Sequence, residues 1–160
     1  LHLPAAGAGV GVRGTTNSPA TGWAGFFTGD VGCTGAYIGS DKRWKKNIQP
    51  MSTVLSRIMN VEVTTYEMNA EEYPGMSFIP NETKFGFIAQ DLKKVFPEIV
   101  KQKAIPNPTK AVKARQELDM VEGYHMVDYT SLIPVLTKAI QEQQEIIEKL
   151  EKRIEQLEQK

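Results

Sequence analysis

Ser40 and Lys45 stand five residues apart in the run Gly39-Ser40-Asp41-Lys42-Arg43-Trp44-Lys45. A serine hydroxyl is a weak nucleophile until a base takes its proton, and a lysine can take it only as the neutral amine. Burial or neighbouring cations favour that neutral form. Arg43 and Lys46, with Lys42 if it points inward, are the cations at hand. Asp41 adds a carboxylate that could orient the serine or hold the basic group Lys42, Arg43, Lys45 and Lys46; the residues leave both roles open. Spacing alone is a weak signal, because the familiar Ser-x-x-Lys arrangement fails where residue 43 is arginine. Position strengthens it. Residues 1–39 hold ten of the thirteen glycines and only two Asp, Glu, Lys or Arg side chains, Arg13 and Asp30, whereas the chain beyond is rich in charge and helix formers. A nucleophile and a base at the seam between two unlike segments suggest a seam built to be cut.

The elements that must position this pair differ on its two sides. Before it, Gly9–Val12, Gly22–Phe27 and Gly29–Ile38 read as short strands between glycines, with a turn at Thr15–Pro19. Trp23, Phe26, Phe27, Tyr37 and Ile38 are too few to build a core from one chain, so an intertwined homo-oligomer is the natural way to bury them. After it, Pro50–Asn60 fits a helix capped by Ser52 or Thr53, with Val54, Leu55, Ile58 and Met59 on its apolar face. Residues 61–68 alternate as a strand with Val61, Val63 and Thr65 on one side. A polar loop at 69–82 leads to a strand at Lys84–Ala89 and a short helix at Gln90–Pro97, ended by its proline. Ile99-Val100 can pair with Tyr124–Tyr129 across a mobile basic loop at 101–115. The middle of the chain is therefore a small α+β unit.

From Asp128 onward the pattern is one long helix, capped by Asp128, Thr130 or Ser131, with Pro134 tolerated in its first turns. Ile133, Ile140, Ile147 and Ile154 fall at heptad position a, and Leu136, Gln143, Leu150 and Leu157 at d. A stripe this narrow and persistent predicts a coiled coil, in which Arg153 at g meets Glu158 at e of a parallel neighbour. Isoleucine at a with leucine at d favours two strands. Ala139 and Ile146 at g widen the apolar face and Gln143 adds a polar layer, which fits three strands better.

The totals bound the rest. At 160 residues the chain can bury one sizeable core or two small ones. Nineteen basic against nineteen acidic side chains argue against a nucleic-acid binder that relies on bulk charge. Neither a membrane-spanning run nor a signal peptide is visible. The start, Leu-His-Leu-Pro without an initiator Met, reads as a fragment of something longer. Cys33, the single cysteine, excludes an intrachain disulfide, and neither it nor His2 has metal-ligand spacing, so neither metal nor cofactor is expected. Gln90 and Asp91 fit the start of a helix better than an active site, and His125 fits a packed strand residue. The basic cluster lacks a glycine-rich phosphate loop.

Three stretches occur in order: Ser40-Asp41-Lys-Arg-Trp-Lys45-Lys-Asn47-Ile48, then Gly86-Phe-Ile-Ala-Gln90-Asp-Leu-Lys-Lys-Val-Phe-Pro97-Glu-Ile-Val100, then Val127-Asp-Tyr129-Thr-Ser-Leu-Ile-Pro-Val-Leu136. Together they closely resemble the C-terminal intramolecular chaperone of phage tailspikes, tail fibres and endosialidases, the S74 peptidase family, a module also found in the myelin regulatory factor. The resemblance covers roughly residues 40–145. It implies a module that trimerises, helps upstream fibre strands to wind together and then releases itself. The family serine falls on Ser40 and its lysine on Lys45, Asp41 matches the family's Ser-Asp pair, and the cut falls between Gly39 and Ser40. The implied division is a trimeric β-fibre end at 1–39, an α+β chaperone at 40–130 and a coiled-coil helix at 131–160. The implied setting is a virion tail fibre or tailspike made in the host cytoplasm, with the upstream fibre as folding client and other copies of the chain as partners. A non-cleaving trimerisation and capping module, and a receptor-binding fibre tip using loops such as 69–82, are the alternatives.

Overall fold

The structure is a computed structural model that describes residues 12–17, 22–34, 39–110 and 119–159. Two compact units emerge. The larger comprises residues 33–67, 83–101 and 125–160. Its core gathers Val54, Leu92, Phe96, Ile99, Val100, Leu132, Val135 and Ala139. Phe96 is 2% exposed, so its burial alone contributes about 1.5–3 kcal/mol.

The first helix, α1 (Leu55–Ile58), is much shorter than the predicted 50–60 span, and neither Ser52 nor Thr53 caps it. Its cap comes from far along the chain. The Val54 and Leu55 N–H groups donate to the Glu142 carboxylate, the Leu55 bond at 2.9 Å. A helix of one turn is not stable by itself, and here a half-buried carboxylate supplies the acceptor that the local sequence lacks. Strand β1 (Thr64–Tyr66) pairs antiparallel with β2 (Lys84–Gly86), with Thr64 opposite Gly86 and Tyr66 opposite Lys84. Within β1, Thr64 and Tyr66 are half-buried while Thr65, like Val63 before the strand, is exposed, and Val61 packs against the core. Gly86 explains the choice. A Cβ there would stand 2.8 Å from the Tyr129 hydroxyl and 3.1 Å from that of Tyr66, so the glycine lets both phenols close over the strand.

Helix α2 (Ala89–Val95) takes in Gln90 and Asp91 in its first turn, as expected of them, and Asp91 pairs with Lys94 at 2.7 Å. Phe96 leaves the helical region, as a residue before a proline does, and a single 3-10 turn, Pro97–Ile99, follows. Arg57 stacks 4.2 Å above the Phe96 ring and donates to the Val95 carbonyl and the Glu98 carboxylate, which fixes this corner.

Strand β3 (Val100–Pro106) pairs with β4 (Met120–Val127). The residues expected to begin a mobile loop at 101 are therefore strand as far as 106, and the part of that loop at 111–115 lies outside the described residues. His125 sits in β4 with Nε2 3.3 Å from the Lys93 amine. At the end of β4, Asp128 accepts from the Thr130 hydroxyl at 2.7 Å and the Ser131 N–H, and lies 3.6 Å from Lys101. These hydrogen bonds, with Lys101 beside them, hold the Asp128 carboxyl below the usual carboxylate range. They also cap the 3-10 turn Tyr129–Ser131 that leads into α3 (Leu132–Glu158), whose 27 residues extend about 40 Å.

Helix α3 has two apolar faces. Leu132, Val135 and Ala139 pack into the core, and the side chain of Glu142, 11% exposed, continues that face. Ile133, Leu136, Ile140, Ile147, Leu150, Ile154 and Leu157 all lie exposed. Ala139 thus belongs to the core and does not widen the heptad stripe as the sequence reading had it.

The smaller unit comprises residues 1–32, 68–82 and 102–124. Among its described residues 12–17 and 22–32, and at 33–34 beyond, there is no strand, against the short strands expected there; residues 9–11, 18–19 and 35–38 lie outside the description. The segment is instead held by side chains. The Trp23 indole N–H donates to the Ala104 carbonyl at 2.5 Å, Trp23 meets Phe26 edge-on, and the Lys103 amine donates to the Gly22 carbonyl at 3.1 Å.

Candidate functional site

The site is built by a single 3-10 turn, Lys42–Trp44. Fully extended, five residues would separate their ends by roughly 17 Å. The turn folds that distance back. Trp44 N–H donates to the Asp41 carbonyl at 3.2 Å and Lys45 N–H to the Lys42 carbonyl at 3.0 Å. The Lys45 amine then reaches the Ser40 hydroxyl and donates to its Oγ at 2.6 Å. The two residues paired by sequence spacing are in direct contact.

Asp41 makes the turn. Its Oδ1 accepts from the Arg43 N–H at 2.8 Å, capping the first turn, and from Arg43 Nε at 3.0 Å, while Oδ2 accepts from Arg43 Nη2 at 2.8 Å. The Arg43 guanidinium, with its backbone N–H, holds the Asp41 carboxyl below the usual range, and the carboxylate raises Arg43 in return. Of the basic group Lys42, Arg43, Lys45 and Lys46, the hydrogen bonds of Asp41 go to Arg43, which pairs that guanidinium with a carboxylate.

Gly39 precedes the pair with φ +150°, a conformation L side chains rarely adopt. After the pair, Asn47 takes φ +52°, a left-handed position that asparagine tolerates well, and turns the chain away. Ser40, Lys42, Lys45 and Lys46 are exposed in the single chain.

Other candidates lie apart from this chemistry. A groove of about 480 Å³ beside Pro50, Met51 and the first turns of α3 has no residue of the 39–45 segment in its walls. Cys33 is exposed and unpaired in a disulfide, and His2 lies outside the described residues. Among the described residues no group of His, Cys, Asp and Glu is arranged to hold a metal ion, and no helix is long and apolar enough to cross a membrane.

With the geometry in place, comparison with known proteins adds one decisive finding. Residues 40–101 match the Peptidase S74 family model, described as chaperone of endosialidase. Over that stretch the chain resembles the endosialidase-chaperone family. The match begins on Ser40 itself and takes in the turn, α1, both strands of the first sheet and α2. A solved structure described as a novel intramolecular chaperon is similar at 22% identity and a TM-score of 0.43, covering 66% of this chain and 98% of its own. No curated protein matches the chain. Two features of the site escape sequence reading, the Asp41–Arg43 fork and the Glu142 cap on α1. An acid two residues before an arginine, at the head of a turn, signals the first. Nothing local signals the second, which joins residues 88 apart.

Proposed function

We propose that this chain is a self-cleaving intramolecular chaperone, which gathers copies of an upstream phage tail fibre or tailspike and then releases itself between Gly39 and Ser40. The observation that carries the reading is the contact between Lys45 Nζ and Ser40 Oγ, at the first residues of the family match. In the reaction, neutral Lys45 takes the Ser40 hydroxyl proton. Oγ bonds to the Gly39 carbonyl carbon, the Gly39–Ser40 C–N bond breaks, and the proton passes to the Ser40 nitrogen as it becomes an amine. Water then hydrolyses the Gly39–Ser40 ester, returning the hydroxyl and leaving a carboxylate on Gly39. Activation of water by the same pair, without the ester, is the other route. Asp41 serves by holding the turn that brings base to nucleophile.

Assembly follows from the open stripe on α3. Seven large apolar side chains, Ile133 to Leu157, at heptad spacing form a row that one chain leaves in water, and a parallel coiled coil of identical chains would bury it. A homotrimer accommodates Gln143 within that row. Packing between copies is also what would dehydrate the exposed Lys45 and favour its neutral form. Upstream, the hold of Lys103 and Ala104 on Gly22 and Trp23 suits a chaperone gripping the end of its client.

The test is to express the chain and sequence the N-terminus of its products. A fragment beginning Ser40-Asp41-Lys42, absent in Ser40→Ala, is the expected result. An intact wild type that still trimerises favours a capping module without cleavage. Host-cell binding by the 40–160 fragment favours a fibre tip.

A further inference from the structure

The turn that delivers Lys45 to Ser40 also carries Trp44, whose ring lies beside Gly39, the residue before the cut. Trp44 Cζ3 lies 3.6 Å from the point where a Cβ on Gly39 would sit, so the ring stands over that face of the glycine at a distance such an atom would fill as ordinary contact. The Trp44 side chain is 76% exposed, so the core gains little from it. Glycine is also the residue most in need of restraint, since it samples positive and negative φ about equally. At φ +150° its carbonyl is presented to Ser40 in one of many accessible poses. A flat ring against the Cα removes some of the others. The backbone of Trp44 is held through the turn, because its N–H is bonded to the Asp41 carbonyl and Asp41 is clasped to Arg43.

We propose that Trp44 is the positioning residue for the scissile glycine: its ring lies over Gly39 and holds the carbonyl in line with Ser40 Oγ. This rests on the cleavage reading above. Trp44 touches the substrate segment but exchanges no proton with it, so its contribution lies in the population of the attacking geometry, where small misplacements cost large factors.

The experiment compares the full chain with Trp44→Ala and Trp44→Phe, following intact mass with time, with circular dichroism and sedimentation on each. Trp44→Ala is expected to cut about tenfold more slowly or worse. Trp44→Phe, which keeps a flat ring, is expected to recover to within about threefold of wild type, and fold and assembly are expected to be unchanged in both. Cleavage of Trp44→Ala at the wild-type rate overturns the proposal and leaves the cleavage reading standing. Slow cleavage accompanied by lost assembly, or equal loss in Trp44→Phe, also overturns it. A wild type that never cuts overturns both.

Discussion

Glu142→Ala separates the energetics of this fold from those of any surface helix. The Glu142 carboxylate accepts from two backbone N–H groups, at 3.1 and 3.2 Å from Val54 and 2.9 Å from Leu55. Its side chain is 11% exposed, and Lys138 stands 3.8 Å away as its nearest counter-charge. Hydrogen bonds to charged groups are worth about 1.5–3 kcal/mol each, and two N–H groups sharing one carboxylate do not count twice, so a loss of about 2–3 kcal/mol is expected. Val54, beside the orphaned N–H groups, is among the most buried core residues, so water cannot easily replace the acceptor. For a chain of this size the loss lowers Tm by roughly 4 to 12 °C. Glu142→Gln keeps one acceptor oxygen and should lose about half as much. Glu145→Ala, an exposed neighbour on the same helix, should stay within about 0.5 kcal/mol. Urea and thermal unfolding at one fixed protein concentration measure all three, since association shifts apparent stability. Equal, near-zero losses in Glu142→Ala and Glu145→Ala would refute the reasoning that a distant carboxylate holds α1.

The remaining predictions concern acid, assembly and the turn. Asp128 is held below its ordinary range when folded, so it adds stability above the unfolded carboxylate value, about 3.9, and that stability drains as pH falls through the folded value. Asp128→Ala should cost about 1 kcal/mol at neutral pH and show a shallower loss of stability below about pH 4, read from unfolding midpoints across pH. Glutamates at both Ile147 and Leu150 should break assembly in sedimentation while leaving the core intact, and should slow cleavage with it; normal cleavage by such a monomer would separate the site from assembly. Asp41→Ala should slow cleavage about tenfold without changing thermal stability much, because it frees the turn but touches no core residue.

The residues of the site were legible because their signal is local. Ser40, Lys45 and Asp41 lie within one turn, where types and spacing nearly determine geometry. The heptad on α3 was legible for the same reason, since helical period fixes which side chains share a face. What failed needed tertiary knowledge. Ala139 fits heptad position g and core equally well by sequence, and only the packing of α3 on Phe96 and its neighbours decides between them. The alternation at 61–68 does not say which side of β1 faces inward: Val63 is the more apolar residue, yet Gly86 leaves room for the phenols of Tyr66 and Tyr129 instead. The length of α1 was overestimated because Ser52 and Thr53 look like caps, whereas the working cap is a glutamate from another helix. The glycine-rich segment reads as strands by composition, but strands need partners, and residues 22–34 of one chain form none.

The central claim is that Lys45 acts on Ser40 as a base and not merely as a positive charge. Lysine and arginine differ in the property that matters, since arginine keeps the charge and the reach but does not surrender its proton. The decisive measurement is the intact mass, followed with time, of the wild-type chain beside Lys45→Arg. The wild type is expected to divide after Gly39 while Lys45→Arg folds, assembles and stays whole. Division of Lys45→Arg at the wild-type rate would contradict it.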